Sequence, residues 1–247
     1  HGLTICTPSQ VGCRMGCRFC ASTIGGLYRS LTVGEILNQV IFAQKDMGER
    51  ISNIVIMGIG EPLDNYDNIV KFLHNVNNEN GINIGYRHIT LSSCGVVSGI
   101  YKLAEEKLPI TLTISLHAPN DKIRDTIMPI NHKWNISELI KACKVYADTT
   151  GRRISFEYSL IHGVNDSIEN AKELASLIKP LHGHVNLIPV NKVEERDFHK
   201  GSTQDIRAFC DTLISLGINA TVRRELGSDI SASCGQLRKK ILGNEVK

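Results

Sequence analysis

Aromatic side chains are scarce in this chain, with one Trp, six Tyr and six Phe among 247 residues. That is too few to argue for a platform on which nucleic-acid bases stack. No apolar run approaches the ~18–20 residues of a membrane-spanning helix. No basic-then-apolar opening marks an export segment. Charge of neither sign dominates, and a formal net charge of +3 permits a polyanionic partner without demanding one. Pro/Ser linkers, low-complexity tracts and internal repeats are missing, so a single domain is expected. An initiator Met is missing too: the chain opens on His1, which leads us to expect sequence upstream.

What the chain does have is cysteine. Eight Cys without an export signal argue for a reducing compartment, the cytoplasm, and for metal or thiol chemistry. Cys13, Cys17 and Cys20 form a C-x3-C-x2-C set on a Gly-broken loop. A loop can wrap thiolates around one centre, whereas a single strand cannot aim these offsets at one point. Iron–sulfur clusters are held by Cys thiolates, usually four. Three leave one iron of a 4Fe–4S cluster open to a ligand that reacts. Zinc with a distant fourth ligand is the alternative, although zinc knuckles space their pairs differently. With Phe19 just before the last Cys, the spacing is similar to the signature of the radical S-adenosylmethionine (SAM) superfamily.

Hydrophobic periodicity predicts strands at 3–7, 53–57, 88–92, 110–116, 154–160 and 184–189, with a last strand-like run at 218–223. Helical patterns fall between them. One opens on the Thr32/Glu35 capping pair and runs to Met47; others lie at about 137–150, at 167–178 and from Ser202 with Asp205. Six strand-then-helix units imply a parallel sheet. The expected fold is α/β, a partial (βα)6 TIM-like barrel in one domain spanning 1–247. The barrel is favoured over a doubly wound sheet because unusual polar groups cluster just past strand ends. These are the cysteine loop, Glu61, Ser92, Ser115 with His117, Asn191 and Cys234. In a parallel barrel those ends share one mouth.

Taken singly, these groups have bland readings. Glu61 could be a solvated loop carboxylate, His117 a structural imidazole, and Cys6 and Cys234 inert thiols. As a set around one cavity, Ser92, Ser115 and Asn191 could hydrogen-bond a ribose and a carboxylate, and Glu61 could accept from a ligand amine. Gly58-x-Gly60 is too short for a dinucleotide fingerprint. Cys94, Cys143 and Cys210 suit small buried positions. Arg152-Arg153, Arg223-Arg224 and Arg238-Lys239-Lys240 could neutralise phosphates, or simply face solvent.

Four segments together resemble the RlmN/Cfr family over essentially the whole chain. They are Ser9-Gln10-Val11-Gly12-Cys13, Gly60-Glu61-Pro62, Ser115-Leu116-His117-Ala118-Pro119-Asn120 and the stretch 229–237 around Cys234. Members of that family are radical SAM enzymes that methylate ring carbons of adenosine in RNA. The resemblance implies cluster ligation by Cys13, Cys17 and Cys20. It implies SAM contacts at Gly60, Glu61, Ser92, Ser115, Leu116, His117 and Asn191. Cys234 matches the methyl-carrying cysteine and Cys6 its resolving partner, with a disulfide bond between them. Large-subunit ribosomal RNA and tRNA are the implied substrates, an electron donor such as flavodoxin the implied partner, and no membrane is involved. Gly-Glu-Pro, where the carbon-8 branch tends to Gly-Glu-Ala, favours carbon 2. The rivals are a carbon-8 enzyme, another radical SAM enzyme such as a glycyl-radical activase, and a non-catalytic metal-stapled RNA-binding module. Two departures stand out: Val190-Asn191-Lys192 where many members show aromatic-Asn-Pro, and Ser231 where an acidic residue is expected. Members of the family also carry an N-terminal helical domain that helps grip RNA, and residues 1–247 hold no counterpart of it.

Overall fold

The computed structural model describes residues 2–223 and 233–236. Arg224, Arg238-Lys239-Lys240 and most of the stretch 229–237, Ser231 included, lie outside the described residues. The chain begins with β1 (Leu3–Cys6) and a short antiparallel hairpin, β2 (Gln10–Gly12) and β3 (Leu27–Ser30). Then come α1 (Val33–Met47), β4 (Ile51–Ile56), α2 (Tyr66–Asn77), β5 (Ile89–Ser93), α3 (Val97–Glu105) and β6 (Thr111–Ser115). The second half holds α4 (Asp121–Ile127), α5 (Ile136–Thr150), β7 (Ser155–Leu160), α6 (Ile168–Ile178), β8 (His184–Pro189), α7 (Thr203–Ser215) and β9 (Asn219–Val222).

Seven strands form one sheet in the order β1-β4-β5-β6-β7-β8-β9, every neighbouring pair parallel. Spatial order follows chain order, as successive right-handed crossovers require. The two edge strands, β1 and β9, do not pair. The sheet therefore curls into a partial barrel, open on one side, and the expected architecture holds. Ile54, Ile56, Leu91, Leu112, Phe156 and Leu187 are fully buried between sheet and helices, each contributing about 1.5–3 kcal/mol.

Local sequence sets the helix starts. Thr32 with Glu35, Asn135 with Glu138, Ser167 with Asn170 and Ser202 with Asp205 all close reciprocal capping boxes. Two elements differ from expectation. The hairpin β2–β3 brackets what the pattern shows only as a loop, because strands of three and four residues carry no readable period. The short α4 is started by Asn120, whose side chain accepts from Ile123 N–H.

Candidate active site

All seven strands of the sheet run toward one mouth, and a cavity of about 990 Å³, open to solvent, occupies it. Cys13, Cys17 and Cys20 line one part of its wall and Cys234 another.

The cysteine loop is anchored from both sides. Cys13 N–H donates to Gly26 O at 3.1 Å across the hairpin, and Arg18 N–H donates to Ile127 O at 2.9 Å on α4. Burial raises the Cys13 thiol to about 11, with Glu61 and Cys20 adding to the rise. Burial also raises Cys17, and the neighbouring sulfurs of Cys20 and Cys13 add repulsion. Sulfurs that resist becoming thiolates beside one another are what a cationic metal centre relieves. Among the described residues, no three His, Cys, Asp or Glu converge as ligands of a single ion do. A cubane assigns each thiolate its own iron, so its ligands line a pocket instead of meeting at a point. Cys thiolates are the donors that hold iron–sulfur clusters, and three of them line this one cavity, so the donor set fits a cluster.

Glu61 is not the solvated carboxylate that local sequence allows. It is 3% exposed, and burial raises its pKa. Oε2 accepts from Cys94 N–H at 2.7 Å and Oε1 from Leu63 N–H at 3.0 Å. Its backbone N–H donates to Gln10 Oε1 at 2.9 Å, and Gln10 Nε2 donates to Asp64 at 2.9 Å. Gly60 has φ +105°, and a Cβ there would lie 2.6 Å from Gln10 Cβ. Glycine is what lets this turn press against the hairpin.

Opposite lie Ser92 and Ser115, their hydroxyls 3.4 Å apart. His117 follows with φ +56°, held there by Asn165 Nδ2 donating to its carbonyl at 2.7 Å. Its Nδ1 accepts from Ser159 N–H at 2.8 Å. Burial, then the charge of Arg124, lowers its pKa to about 3. The imidazole is therefore neutral, with its proton on Nε2, and meets Phe19 edge-on. Leu116 differs from the other implied contacts: its side chain is fully buried in the core and does not line the cavity.

Cys234 sits in a tail segment clasped across the mouth. Asn191 Nδ2 donates to Cys234 O at 2.9 Å, Gln236 Nε2 to Lys192 O at 3.0 Å, and Ala21 N–H to Gly235 O at 2.7 Å. Cys6, at the end of β1, feels the Cys234 sulfur: burial raises its thiol, and Cys234 raises it further. The disulfide bond expected between them is overturned, because Cys6 and Cys234 are both free thiols. The physical reason is that both are exposed residues, so neither serves as a buried structural link. Cys94, Cys143 and Cys210 are buried, as their surroundings in the sequence suggest.

Three residues escaped sequence reasoning. Arg124 is fully buried, donating to Leu116 O, Cys94 O and Asn131 Oδ1 at 3.0, 2.7 and 2.9 Å. Asn165 bridges His117 and Ser159. Glu157, on β7, lines the cavity and is 4% exposed; a lone acid inside an apolar strand was the available signal. Of the basic pairs, Arg223 lines the cavity, while Arg152 donates to Thr111 Oγ1 at the opposite end of the sheet.

The open parallel barrel and its three-thiol loop define a radical SAM enzyme, and the Radical SAM superfamily profile matches residues 7–175. A Clostridium tetani protein described as a probable dual-specificity RNA methyltransferase RlmN is 60% identical over 247 residues, covering 100% of this chain and 71% of that protein. Its Clostridium novyi counterpart is 56% identical over 244 residues, covering 99% of this chain and 71% of the relative. The crystal structure of a radical SAM methyltransferase from Sphaerobacter thermophilus matches with TM-score 0.93 and 47% identity, over 95% of this chain and 70% of that one. The chain belongs to the RlmN family of radical SAM RNA methyltransferases, which use a 4Fe–4S cluster and SAM.

Proposed function

We propose that the protein methylates carbon 2 of adenosine in large-subunit ribosomal RNA and in tRNA beside the anticodon, carrying the methyl group on Cys234. The observation that carries this reading is the sharing of one cavity by Cys234 and the three loop cysteines. When bound, the cluster and SAM supply a 5′-deoxyadenosyl radical, the reagent needed because an amidine carbon is too electron-poor to attack a sulfonium methyl.

The remaining work falls to the chain. Cys13, Cys17 and Cys20 hold the cluster. Gly60 and Glu61 set the turn beside it, with Glu61 as acceptor for an amine, while Ser92, Ser115 and the neutral His117 offer hydroxyls and an N–H to a ribose and a carboxylate. The backbone of Leu116 sets the height of His117. Asn191 steadies the Cys234 carbonyl and so places its sulfur. Cys234 takes the methyl group as a thiolate and presents it to the base. Cys6 is the second thiol at that sulfur, acting there when the methylated base leaves. Carbon 2 is chosen over carbon 8 on Gly60-Glu61-Pro62. A flavodoxin-type donor in the cytoplasm supplies electrons.

Mass spectrometry of ribosomal RNA and tRNA from cells lacking and carrying the gene tests the reading. 2-Methyladenosine should appear only when the gene is present. 8-Methyladenosine in its place would move the protein to the other branch, and no methylated adenosine would overturn the assignment.

A further inference from the structure

The cavity has two electrostatic ends. The charges acting most on Cys13 and Cys17 come from Glu61, Asp64 and Arg124, besides the sulfurs themselves. At the sulfur pair the acting cation is Arg223, which pulls the Cys6 thiol back down. Beside Arg223 stands Glu157. Its Oε1 accepts from Asn186 Nδ2 at 3.1 Å, and Asn186 Oδ1 in turn accepts from Thr221 at 3.0 Å. The carboxylate is thus locked in place by its neighbours on β8 and β9. Its Oε2 is buried and has no hydrogen-bond partner among the described residues, and Arg223 Nη1 stands 4.0 Å away.

A buried carboxylate oxygen without a donor is costly. Such an atom persists where a ligand completes it. Burial raises the Glu157 pKa, while Arg223 and Asn186 pull it back down; as a carboxylate Glu157 offers only acceptors, and Arg223 offers only donors. The complementary ligand edge has an N–H next to a ring nitrogen, and adenine has this in its 6-amino group and N1.

We propose that Glu157 and Arg223 form the subsite for the target adenine, Glu157 Oε2 accepting from the 6-amino group and Arg223 donating to N1. This rests on the adenosine reading above. It deepens that reading in one respect: N1 adjoins carbon 2, so a donor on N1 withdraws electron density from the carbon to be attacked. Nucleophilic carbon radicals add faster to such carbons. Arg223 thereby both recognises the base and prepares it, on the side of the cavity where Cys234 stands.

The test uses the full-length, cluster-loaded protein and anticodon stem-loop RNAs with adenosine, purine riboside (no 6-amino group) or 1-deazaadenosine (no N1) at the target position. Wild-type protein should bind the adenosine RNA about tenfold more tightly than either analogue, a difference of about 1.4 kcal/mol. In Glu157→Ala the adenosine-to-purine ratio should fall to about one, and Glu157→Gln, whose amide oxygen still accepts, should restore part of it. In Arg223→Met the ratio to 1-deazaadenosine should collapse while the ratio to purine survives. S-adenosylhomocysteine affinity should not change in any variant. Unchanged ratios overturn the proposal, and a parallel loss of S-adenosylhomocysteine binding overturns it by giving Glu157 to the co-substrate. Arg223, with a side chain 40% exposed, tolerates replacement even if Glu157→Ala does not fold. Wild-type enzyme that methylates yet ignores both analogues defeats this subsite alone. Wild-type enzyme that methylates no adenosine defeats the functional reading as well.

Discussion

His117 Nδ1 accepts the backbone N–H of Ser159 at 2.8 Å, and this one bond decides which imidazole nitrogen faces the cavity. A ring held this way cannot take a proton on Nδ1 without losing the bond. Its folded pKa of about 3 lies below the ordinary 6.5, so the native state binds fewer protons than the unfolded one. The stability linked to His117 is complete above pH ~6.5 and declines as pH falls toward ~3, by up to about 1.4 kcal/mol per unit. Urea unfolding of cluster-free protein between those limits should show this slope, and His117→Gln should flatten it.

Arg124 places a guanidinium where no carboxylate among the described residues hydrogen-bonds it, with three backbone carbonyls and one amide as acceptors. Arg124→Met leaves those acceptors buried and unpaired. We expect a loss of about 3 kcal/mol or more, read as a lower urea midpoint. Lys cannot reach all four from one ammonium and should recover little.

Gly60→Ala forces a side chain into the left-handed region at φ +105° and onto Gln10. Strain of about 1–3 kcal/mol is expected, together with displacement of Glu61. SAM affinity, followed by equilibrium dialysis, should fall at least tenfold while iron content stays near wild type. Loss of iron instead would place the turn's role at the cluster.

Cysteine replacements should separate two functions. Cys17→Ala should abolish visible absorption and bound iron. Cys234→Ala should keep the iron and still convert SAM to 5′-deoxyadenosine with reductant, yet yield no methylated RNA. Methylated RNA from Cys234→Ala would remove this residue from the reaction.

Asn191→Ala deletes the amide that holds the Cys234 carbonyl. One hydrogen bond is worth about 0.5–1.5 kcal/mol, so methylation should slow roughly two- to tenfold with 5′-deoxyadenosine formation unaffected. A drop in both would show that Asn191 serves SAM directly.

The barrel was legible because its determinants are local and periodic. Apolar runs such as 54–57, capping pairs such as Thr32/Glu35, and a cysteine spacing all repeat a physical rule within one window of sequence. The bracketing hairpin escaped because strands of three and four residues carry no such rule, and α4 because seven residues show barely two turns.

The amino-acid sequence by itself determined the strand–helix rhythm, the three-thiol loop and the set of polar groups at strand ends, since each depends on residues near one another in the chain. Tertiary structure alone decided what those groups can do. Glu61 became a buried acceptor only when the hairpin closed over it. Cys6 and Cys234 became neighbours as free thiols only when the sheet curled. Glu157 met Arg223 only through the register of β7, β8 and β9. Burial, protonation and reach are set by atoms far apart in the chain, and no window of sequence contains them.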